Sequence, residues 1–357
     1  MNALFARLTV FLAIAVSTAS SLFATSTTGQ TSTTPGGGLS FNGPTDCEAS
    51  LSCFKVNDYY SQCQQSLPES GTVAALSPAA TIPAGALTKI TGFGTNPTNI
   101  GMYGYRPTTV KSDLGLLVAL HYCGGTAQAY YSSTQFKTLA DQRGFMILYG
   151  QAVNDSNCWD ITSKATKTHN GGSDSQGIAS AAQYAIANWG INPNKVFVVG
   201  SSSGAMMVNV IAATYPDIFK GGAIFAGSAF GCLVSNAPRN PPDPCASGQK
   251  TQTAQAWGDL VRGAYPGYNG TYPKLQIWHG TSDPVLNYVN FGEEVKQWTN
   301  VHKVSSVATT TLTNSPKQPW TKTSYGAGEV EGYSGSGLGH GLPDSGTEAN
   351  ALDFFGL

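Results

Sequence analysis

Residues 196–214 hold the feature that most constrains the fold, which is a strand, a tight turn and a helix in immediate succession. The apolar run VFVV at 196–199 predicts a buried strand, and the residues that follow it read GSSSG. A helix is then predicted for 205–214, ended by a Tyr-Pro pair. Strand, G-x-S-x-G and helix in this order expose a serine on a sharp turn, and the glycines let strand and helix approach closely. Ser202, the central serine, is therefore the candidate nucleophile.

Length and charge limit the classes of function. The chain has 357 residues, 11% of them charged, and a formal net charge of −1 at pH 7. Binding to nucleic acid or to an anionic membrane would require a basic surface, so the sequence predicts neither partner. The length is sufficient for one large catalytic domain and one small additional module.

The first 24 residues have the features of a secretory signal peptide. Arg7 supplies the positive charge, and the apolar stretch at 8–16 is too short to cross a bilayer. We therefore predict a secreted, extracellular protein without a membrane anchor. A disordered segment is predicted at 25–35 from its Ser, Thr and Gly content.

Seven cysteines are present, and in the oxidising environment outside the cell they favour disulfides over metal sites. Neither a C-x-x-C nor an H-E-x-x-H spacing occurs. The sequence therefore predicts no metal and no cofactor. Glycosylation sequons at Asn154 and Asn269 predict two surface loops.

A short cysteine-rich segment at 36–66 precedes a linker at 67–84 that is rich in Pro, Ala, Ser and Thr. Three of the seven cysteines fall in this segment, which is too small for a hydrophobic core of its own. Its cysteines and adjacent tyrosines resemble the fungal-type family 1 cellulose-binding module, in which a flat row of aromatic rings stacks on glucan. The resemblance implies that Tyr59 and Tyr60 bind carbohydrate.

The same resemblance implies that Cys47 pairs with Cys63 and that Cys53 is left unpaired. The segment departs from the family in two ways. The family's first cysteine is absent, with Gly36 in its place, and the aromatic residue that usually precedes it is missing. A working module and a module without useful affinity therefore both remain open.

From residue 85 onward, buried strands alternate with helical patterns. Strands are predicted at 114–120, 145–149, 196–199 and 275–278, and helices at 136–143, 175–189, 205–214 and 293–302. This alternation predicts an α/β domain over 85–357, with a mostly parallel sheet and helices on both faces.

A serine nucleophile requires a base, and the base must be oriented by an acid. Asp283 follows a predicted strand through a short loop, and His340 lies in a loop flanked by glycines. These two are the predicted acid and base. His302 falls in a helical pattern and is predicted to be a surface residue, and Asp344 is the alternative acid.

The oxyanion of the intermediate must be held by two backbone N–H groups. The N–H of Ser203, directly after the nucleophile, is the first candidate. The second should come from the loop after an early strand, where Cys123 in HYCGG fits. His121 in the same loop is predicted to be structural rather than catalytic.

Several motifs occur together in one order, namely HYCGG (121–125), CWD (158–160), HNGG (169–172), the turn at 200–207, ATYP (213–216), HGTSD (279–283) and GH (339–340). Together they resemble carbohydrate esterase family 1, in particular its fungal acetylxylan and feruloyl esterases, which are relatives of polyhydroxybutyrate depolymerases. The resemblance covers residues 85–357. It implies an α/β-hydrolase fold, the triad Ser202, Asp283 and His340, and the oxyanion donors Cys123 and Ser203.

The family resemblance further implies two disulfides, Cys123–Cys158 and Cys232–Cys245, of which the first would fix the oxyanion loop against the loop that carries Trp159. Trp159 and Tyr122 are candidate substrate-binding residues. Two departures concern substrate choice: the aromatic residue that often precedes the cysteine matching Cys245 is absent, and Val295 stands where some members have a cysteine.

These observations predict a secreted, monomeric serine esterase that removes acetyl groups from xylan in plant cell walls, with cellulose as a possible second polysaccharide partner. A feruloyl esterase and a polyester depolymerase remain alternatives within the same chemistry. A catalytically inactive carbohydrate-binding protein is the alternative from another class, but such a protein would have no reason to retain all three triad residues.

Overall fold

The structure is a computed structural model that describes residues 82–233 and 243–357, together with the backbone of two short strands nearer the N-terminus. The chain divides into two compact units, Met1–Ala74 and Ala75–Leu357. The predicted signal peptide and the predicted disordered segment lie outside the described residues.

In the first unit, β1 (Leu51–Asn57) and β2 (Tyr60–Gln65) form an antiparallel hairpin. The register of this hairpin sets Cys53 opposite Cys63. Cys47 and Tyr59 lie outside the described residues, and of Tyr60 only the backbone is described.

The second unit is built on a sheet of ten strands, which runs in the order β10-β11-β12-β9-β8-β7-β5-β6-β4-β3. The strands are β3 (Leu87–Ile90), β4 (Gly101–Tyr105), β5 (Leu116–Leu120), β6 (Met146–Gln151), β7 (Val196–Ser201), β8 (Gly221–Phe225), β9 (Lys274–Gly280), β10 (Thr310–Thr313), β11 (Trp320–Tyr325) and β12 (Val330–Gly335). The six central strands, from β12 to β6, are parallel to one another, and the two strands at each edge are antiparallel. The predicted mostly parallel sheet is confirmed.

Seven helices flank this sheet in the described part of the second unit. They are α1 (Ala127–Ser133), α2 (Phe136–Arg143), α3 (Ser173–Trp189), α4 (Ser203–Thr214), α5 (Ala254–Ala264), α6 (Val289–Val301) and α7 (Thr347–Phe355). None of the helices in residues 82–233 and 243–357 is long and apolar enough to span a bilayer.

Strand β5 explains why the central strands are apolar throughout. Its five residues are completely buried, and they alternate between two hydrophobic cores on opposite faces of the sheet. Leu116, Val118 and Leu120 belong to one core, while Leu117 and Ala119 belong to the other. Parallel strands that are covered on both faces read as continuous apolar runs, which is the pattern that predicted them.

The packed core begins slightly earlier in the chain than the predicted boundary at residue 85. Ile82, predicted to lie in the linker, is buried in the larger core, and Ala84 forms a bridge with Arg106. The loops after β5, β7, β9 and β12 all leave the sheet on the side where the carboxyl ends of the parallel strands lie. Because ligands of open α/β sheets bind at the carboxyl ends of the strands, we expect the site among these loops.

Candidate active site

Ser202 lies on the sharp turn between β7 and α4. Its backbone has φ 53° and ψ −116°, a region that non-glycine residues rarely adopt. A Cβ atom at Gly200 would collide with the carbonyl of Gly204, and one at Gly204 would collide with the carbonyl of Leu120. Both positions therefore require glycine, and the strained turn directs the Ser202 hydroxyl away from the sheet.

Asp283, His340 and Ser202 form a continuous line of hydrogen bonds. His340 Nδ1 lies 2.7 Å from Asp283 Oδ2, and His340 Nε2 lies 2.8 Å from Ser202 Oγ. An ionised carboxylate can only accept, so Nδ1 carries the proton and donates it to Asp283. Nε2 is then the acceptor for the hydroxyl proton of Ser202. The arrangement is that of a nucleophile, a base and an orienting acid.

The carboxylate of Asp283 is fixed from several directions. Its Oδ1 accepts hydrogen bonds from the backbone N–H groups of Val285 and Leu286, at 2.8 and 2.9 Å. The Nε2 atom of His279 lies 3.4 Å from Oδ2. Burial opposes ionisation of this group, but the hydrogen bonds from His279 and His340 outweigh it and hold the pKa of Asp283 well below its usual range.

Two further buried groups, His279 and Glu294, interact electrostatically with each other, and His279 contacts Asp283. The ring is fully buried, and its Nε2 donates to the carbonyl of Leu286 at 3.0 Å. Burial lowers the pKa of His279, but the contacts with Asp283 and with the Leu286 carbonyl and the charge of Glu294 together outweigh burial, and the net shift is upward. Glu294 on α6 is also fully buried, accepts from Asn209 at 2.7 Å, and has a pKa that burial raises to about 7.

Two loops bring the base to the acid, and the backbone of each is tied to the other. Strands β9 and β12 are parallel neighbours, so the loops that follow them leave the sheet side by side. The N–H of Ser282 donates to the carbonyl of Leu338 at 2.9 Å. A Cβ atom at Gly280 would collide with the carbonyls of Leu338 and Gly339. Glycine at 280 therefore permits the approach that delivers His340.

Two residues whose backbone N–H groups are candidate oxyanion donors lie beside the cavity, Cys123 and Ser203. Cys123 lies in the loop after β5, and Ser203 is the first residue of α4, where helix N–H groups have no partner within the helix. Within the described residues, neither amide donates to a protein acceptor. Both residues line the same cavity as Ser202. The two amides are therefore available to a developing oxyanion.

A cavity of about 450 Å³ opens over the nucleophile. Its lining includes the apolar residues Met206, Val285, Leu286, Leu342 and Pro343. Tyr122 lies at the rim and is 41% exposed. Tyr130 and Ser201 also line the cavity; the Tyr130 hydroxyl is hydrogen-bonded to Ser201 Oγ at 2.8 Å, and burial raises the pKa of this tyrosine. The cavity can hold an ester with its acyl group against apolar side chains.

The prediction that Trp159 contacts the substrate is wrong. The side chain is fully buried in the larger core, and it does not line the cavity described above. Its indole Nε1 donates to the carbonyl of His121 at 2.9 Å, and its ring packs against Gly150. The sequence placed Trp159 in a loop beside the oxyanion region, but the side chain turns into the core. Tyr122, the other predicted residue, does line the cavity.

Three further polar residues lie outside the hydrogen-bonded line. His121 is buried, its Nδ1 donates to the Tyr122 carbonyl, and burial lowers its pKa to about 4. Asp344 pairs with Lys317 at 2.8 Å. His302 ends α6 and is half-buried rather than on the surface as predicted; its Nε2 donates to the carbonyl of Pro273, and burial lowers its pKa.

Two disulfides are present in the described residues, Cys123–Cys158 and Cys232–Cys245. The first links the loop after β5 to the segment that carries Trp159. The second closes a loop whose residues 234–242 lie outside the described part of the chain. Val295 is buried on α6, within the larger core.

Sequence reasoning assigned no role to His279 or Glu294. A signal was present for His279, because it ends a buried strand four residues before Asp283 and so had to lie at the same edge of the sheet. Glu294 gave no such signal, since the adjacent pair Glu293 and Glu294 reads as a solvated helix face. Both glutamates are instead buried.

Comparison with known proteins gives a consistent picture. Residues 102–297 match the family described as esterase PHB depolymerase, and residues 37–60 match the fungal cellulose binding domain. An acetylxylan esterase of Coprinopsis cinerea is 54% identical over 90% of this chain and 92% of its own length. Feruloyl esterase B of Talaromyces stipitatus is 43% identical over 78% of this chain and 77% of its own length.

A solved structure shares the fold. The acetyl xylan esterase from Aspergillus awamori is 38% identical, and the match has a TM-score of 0.71 and covers 76% of this chain and 99% of that one. The predicted α/β-hydrolase architecture is therefore confirmed for the second unit.

Proposed function

Because the chain belongs to the esterase PHB depolymerase family, as a carboxylic ester hydrolase of the acetylxylan or feruloyl esterase type, we propose that it removes acetyl groups from xylan by acyl transfer to Ser202. The observation that carries the proposal is the hydrogen-bonded line Asp283–His340–Ser202, which ends in a cavity beside two unpaired backbone amides.

The reaction proceeds in two steps. Ser202 Oγ attacks the ester carbonyl while His340 Nε2 takes its proton, and the tetrahedral oxyanion is held by the N–H groups of Cys123 and Ser203. His340 then protonates the leaving sugar hydroxyl, and the acetyl group remains on Ser202. Water, deprotonated by His340, releases acetate and restores the serine. Asp283 holds the imidazole in the required tautomer and stabilises the imidazolium in both steps.

The size and lining of the cavity leave room for a second candidate, ester hydrolysis of ferulate. An aromatic acyl group would lie against apolar side chains of the cavity lining, such as those of Val285, Leu286 and Leu342. The similarity to a feruloyl esterase, at 43% identity, favours this alternative, while the 54% identical relative favours acetyl. We propose acetyl as the preferred acyl group because the more similar relative also covers more of the chain.

Secretion is part of the proposal. The sequence features of residues 1–24, the two disulfides and the match to a cellulose binding domain support action outside the cell on plant cell-wall polysaccharide. The site is complete without a residue from a second copy, and we propose a monomer as the active unit. Analytical ultracentrifugation of the secreted protein checks this assignment.

The function is tested by comparing kcat/KM on acetylated xylan with kcat/KM on methyl ferulate. We expect the acetylated substrate to be preferred, with the Ser202→Ala variant as the matched blank for both. A preference for methyl ferulate would establish the second candidate, and hydrolysis of neither substrate above the blank would refute the proposal.

A further inference from the structure

The dipeptide Cys158–Trp159, between β6 and α3, contacts both sides of the oxyanion region. Cys158 is disulfide-bonded to Cys123. The backbone N–H of Trp159 donates to the side-chain oxygen of Ser203 at 2.9 Å, and its indole N–H donates to the carbonyl of His121 at 2.9 Å. One short segment is therefore attached to both of the residues whose amides would hold the oxyanion.

These two amides belong to separate parts of the fold. Cys123 is in the loop after β5, whereas Ser203 begins α4, which follows β7. Strand pairing between β5 and β7 ends at Leu120 and Gly200, so the ladder does not reach either amide. The distance between the two N–H groups is set by contacts beyond the sheet. The dipeptide provides two of them, in addition to the close approach of Gly204 to the carbonyls of Leu120 and His121.

The contacts of the dipeptide are shielded from water. Cys158, Trp159, Ser203 and His121 are all buried, with Trp159 and His121 completely so. His121 is held in one tautomer, since its Nδ1 donates to the Tyr122 carbonyl while its Nε2 accepts from the N–H of Ala152. A buried N–H that loses its acceptor finds no water to replace it, so these bonds resist opening.

We propose that the hydroxyl of Ser203 is a positioning group for catalysis: by accepting the N–H of Trp159, it holds the α4 amide at a fixed distance from the Cys123 amide. The inference rests on the proposed function, because it assigns a task within that reaction. The residue is buried and its hydroxyl oxygen accepts the N–H of Trp159, so we assign the hydroxyl an effect through the separation of the two amides rather than through contact with the substrate.

The role of the hydroxyl can be separated from that of the amide by Ser203→Ala, which keeps the backbone N–H and removes the acceptor of Trp159. Misplacement of a catalytic group by about 1 Å costs about a hundredfold, and loss of a whole oxyanion donor costs about 10² to 10³. We therefore expect kcat on a small acetate ester to fall between about tenfold and about a hundredfold, with KM nearly unchanged.

Two measurements distinguish positioning from simple loss of stability. The affinity for a methylboronic acid, which forms a tetrahedral adduct with the serine, should fall by a factor similar to that in kcat. The matched control is Ser175→Ala, which removes an equally buried hydroxyl that donates to the Thr166 carbonyl at 2.8 Å. This control should lower the melting temperature while leaving kcat and boronate affinity at native values.

A double-mutant cycle provides the second test. Replacing both Cys123 and Cys158 by Ala should lower kcat, and adding Ser203→Ala to that variant should cost less than it does in the native enzyme, because both bonds hold the same segment. Should the cysteine variant not fold, the comparison of Ser203→Ala with Ser175→Ala decides the matter alone.

The inference is overturned if Ser203→Ala keeps native kcat and boronate affinity, if Ser175→Ala loses as much of both, or if the losses in the cycle multiply independently. Failure of the proposed function would look different. In that case the native enzyme itself would not exceed the Ser202→Ala blank on the acetate ester.

Discussion

The groups on the two sides of Ser202 differ in kind: ionisable side chains lie on one side and backbone amides on the other. On the base side, the reactive groups are ionisable side chains. His340 is hydrogen-bonded to Asp283, and the buried His279 contacts Asp283 from behind. On the oxyanion side, the reactive groups are backbone amides of Cys123 and Ser203, held by a disulfide and by buried hydrogen bonds. The first side can titrate, and the second cannot. Substitutions on the base side should therefore alter proton transfer, whereas those on the oxyanion side should alter geometry.

The largest effect is expected from removing the base. His340→Ala eliminates the acceptor of the Ser202 proton, and loss of such a residue typically costs about a million-fold in kcat. The matched control is His302→Ala, whose ring contacts the Pro273 carbonyl away from the cavity. Steady-state rates on a small acetate ester check both variants. Comparable losses in the two would show that the base side has been assigned to the wrong histidine.

Removing the charge of the acid should have the next largest effect. Asp283→Asn keeps the shape of the side chain but donates where His340 requires an acceptor, and the corresponding change in serine proteases costs about 10⁴ in kcat. Asp344→Asn is the control, because that carboxylate pairs with Lys317 at 2.8 Å. The same assay applies. A larger loss in Asp344→Asn than in Asp283→Asn would transfer the role of the acid to Asp344.

Two adjacent buried glutamates, Glu293 and Glu294, have pKa values shifted in opposite directions, so they should affect the pH dependence of stability in opposite ways. Burial raises the pKa of Glu294 to about 7, so its stabilising contribution is complete below the unfolded value near 4.5 and is lost as pH rises through 7. Glu294→Gln cannot ionise. The melting temperature of this variant relative to the native protein should therefore rise between pH 5 and pH 8.

Glu293 provides the internal control for that experiment. Burial opposes its ionisation, but the ion pair with Lys296 at 2.6 Å and the hydrogen bond from Trp257 lower its pKa. Its stabilising contribution is present above the unfolded pKa and is lost only as pH falls through the folded value. Glu293→Gln should consequently melt below the native protein at both pH values. Parallel behaviour of the two variants would contradict the difference in environment.

The smallest effect is expected for a change that touches neither side of Ser202. A truncated variant that begins at residue 80 retains Ile82, both hydrophobic cores of the second unit and all residues of the site. Its kcat and KM on a soluble acetate ester should equal those of the full chain. A large loss on this substrate would indicate that the N-terminal segment takes part in building the site.

Part of the central sheet was predictable from local patterns: β5, β6, β7 and β9 were predicted, whereas β8 and β12 were not. Continuous apolar runs mark strands covered on both faces, as in Leu116–Leu120. Ser202 and Asp283 each follow a predicted strand, so both could be placed at the carboxyl ends of the sheet. His340 was assigned from its glycine-flanked loop and from the family resemblance, because the strand before it was not predicted. The antiparallel edge strand Thr310–Thr313 was missed because its four residues are all exposed and give no alternation.

The wrong or missing predictions concern residues whose burial depends on partners distant in the sequence. Trp159 is buried because its indole N–H reaches a carbonyl 38 positions earlier in the chain. Glu294 is buried because Asn209, on another helix, donates to it. The side-chain role of Ser203 depends likewise on the N–H of Trp159. Such pairings are formed by tertiary packing and leave no periodic trace in the sequence.

The central claim is that Ser202, activated by His340, becomes the acylated group. Peptide mapping by mass spectrometry after brief treatment with a fluorophosphonate tests it directly, because this reagent traps an activated serine as a stable tetrahedral adduct. We expect a single adduct on the peptide that contains Ser202, absent in Ser202→Ala and formed far more slowly in His340→Ala. An adduct on a different residue, or equal labelling of His340→Ala and native protein, would contradict the account.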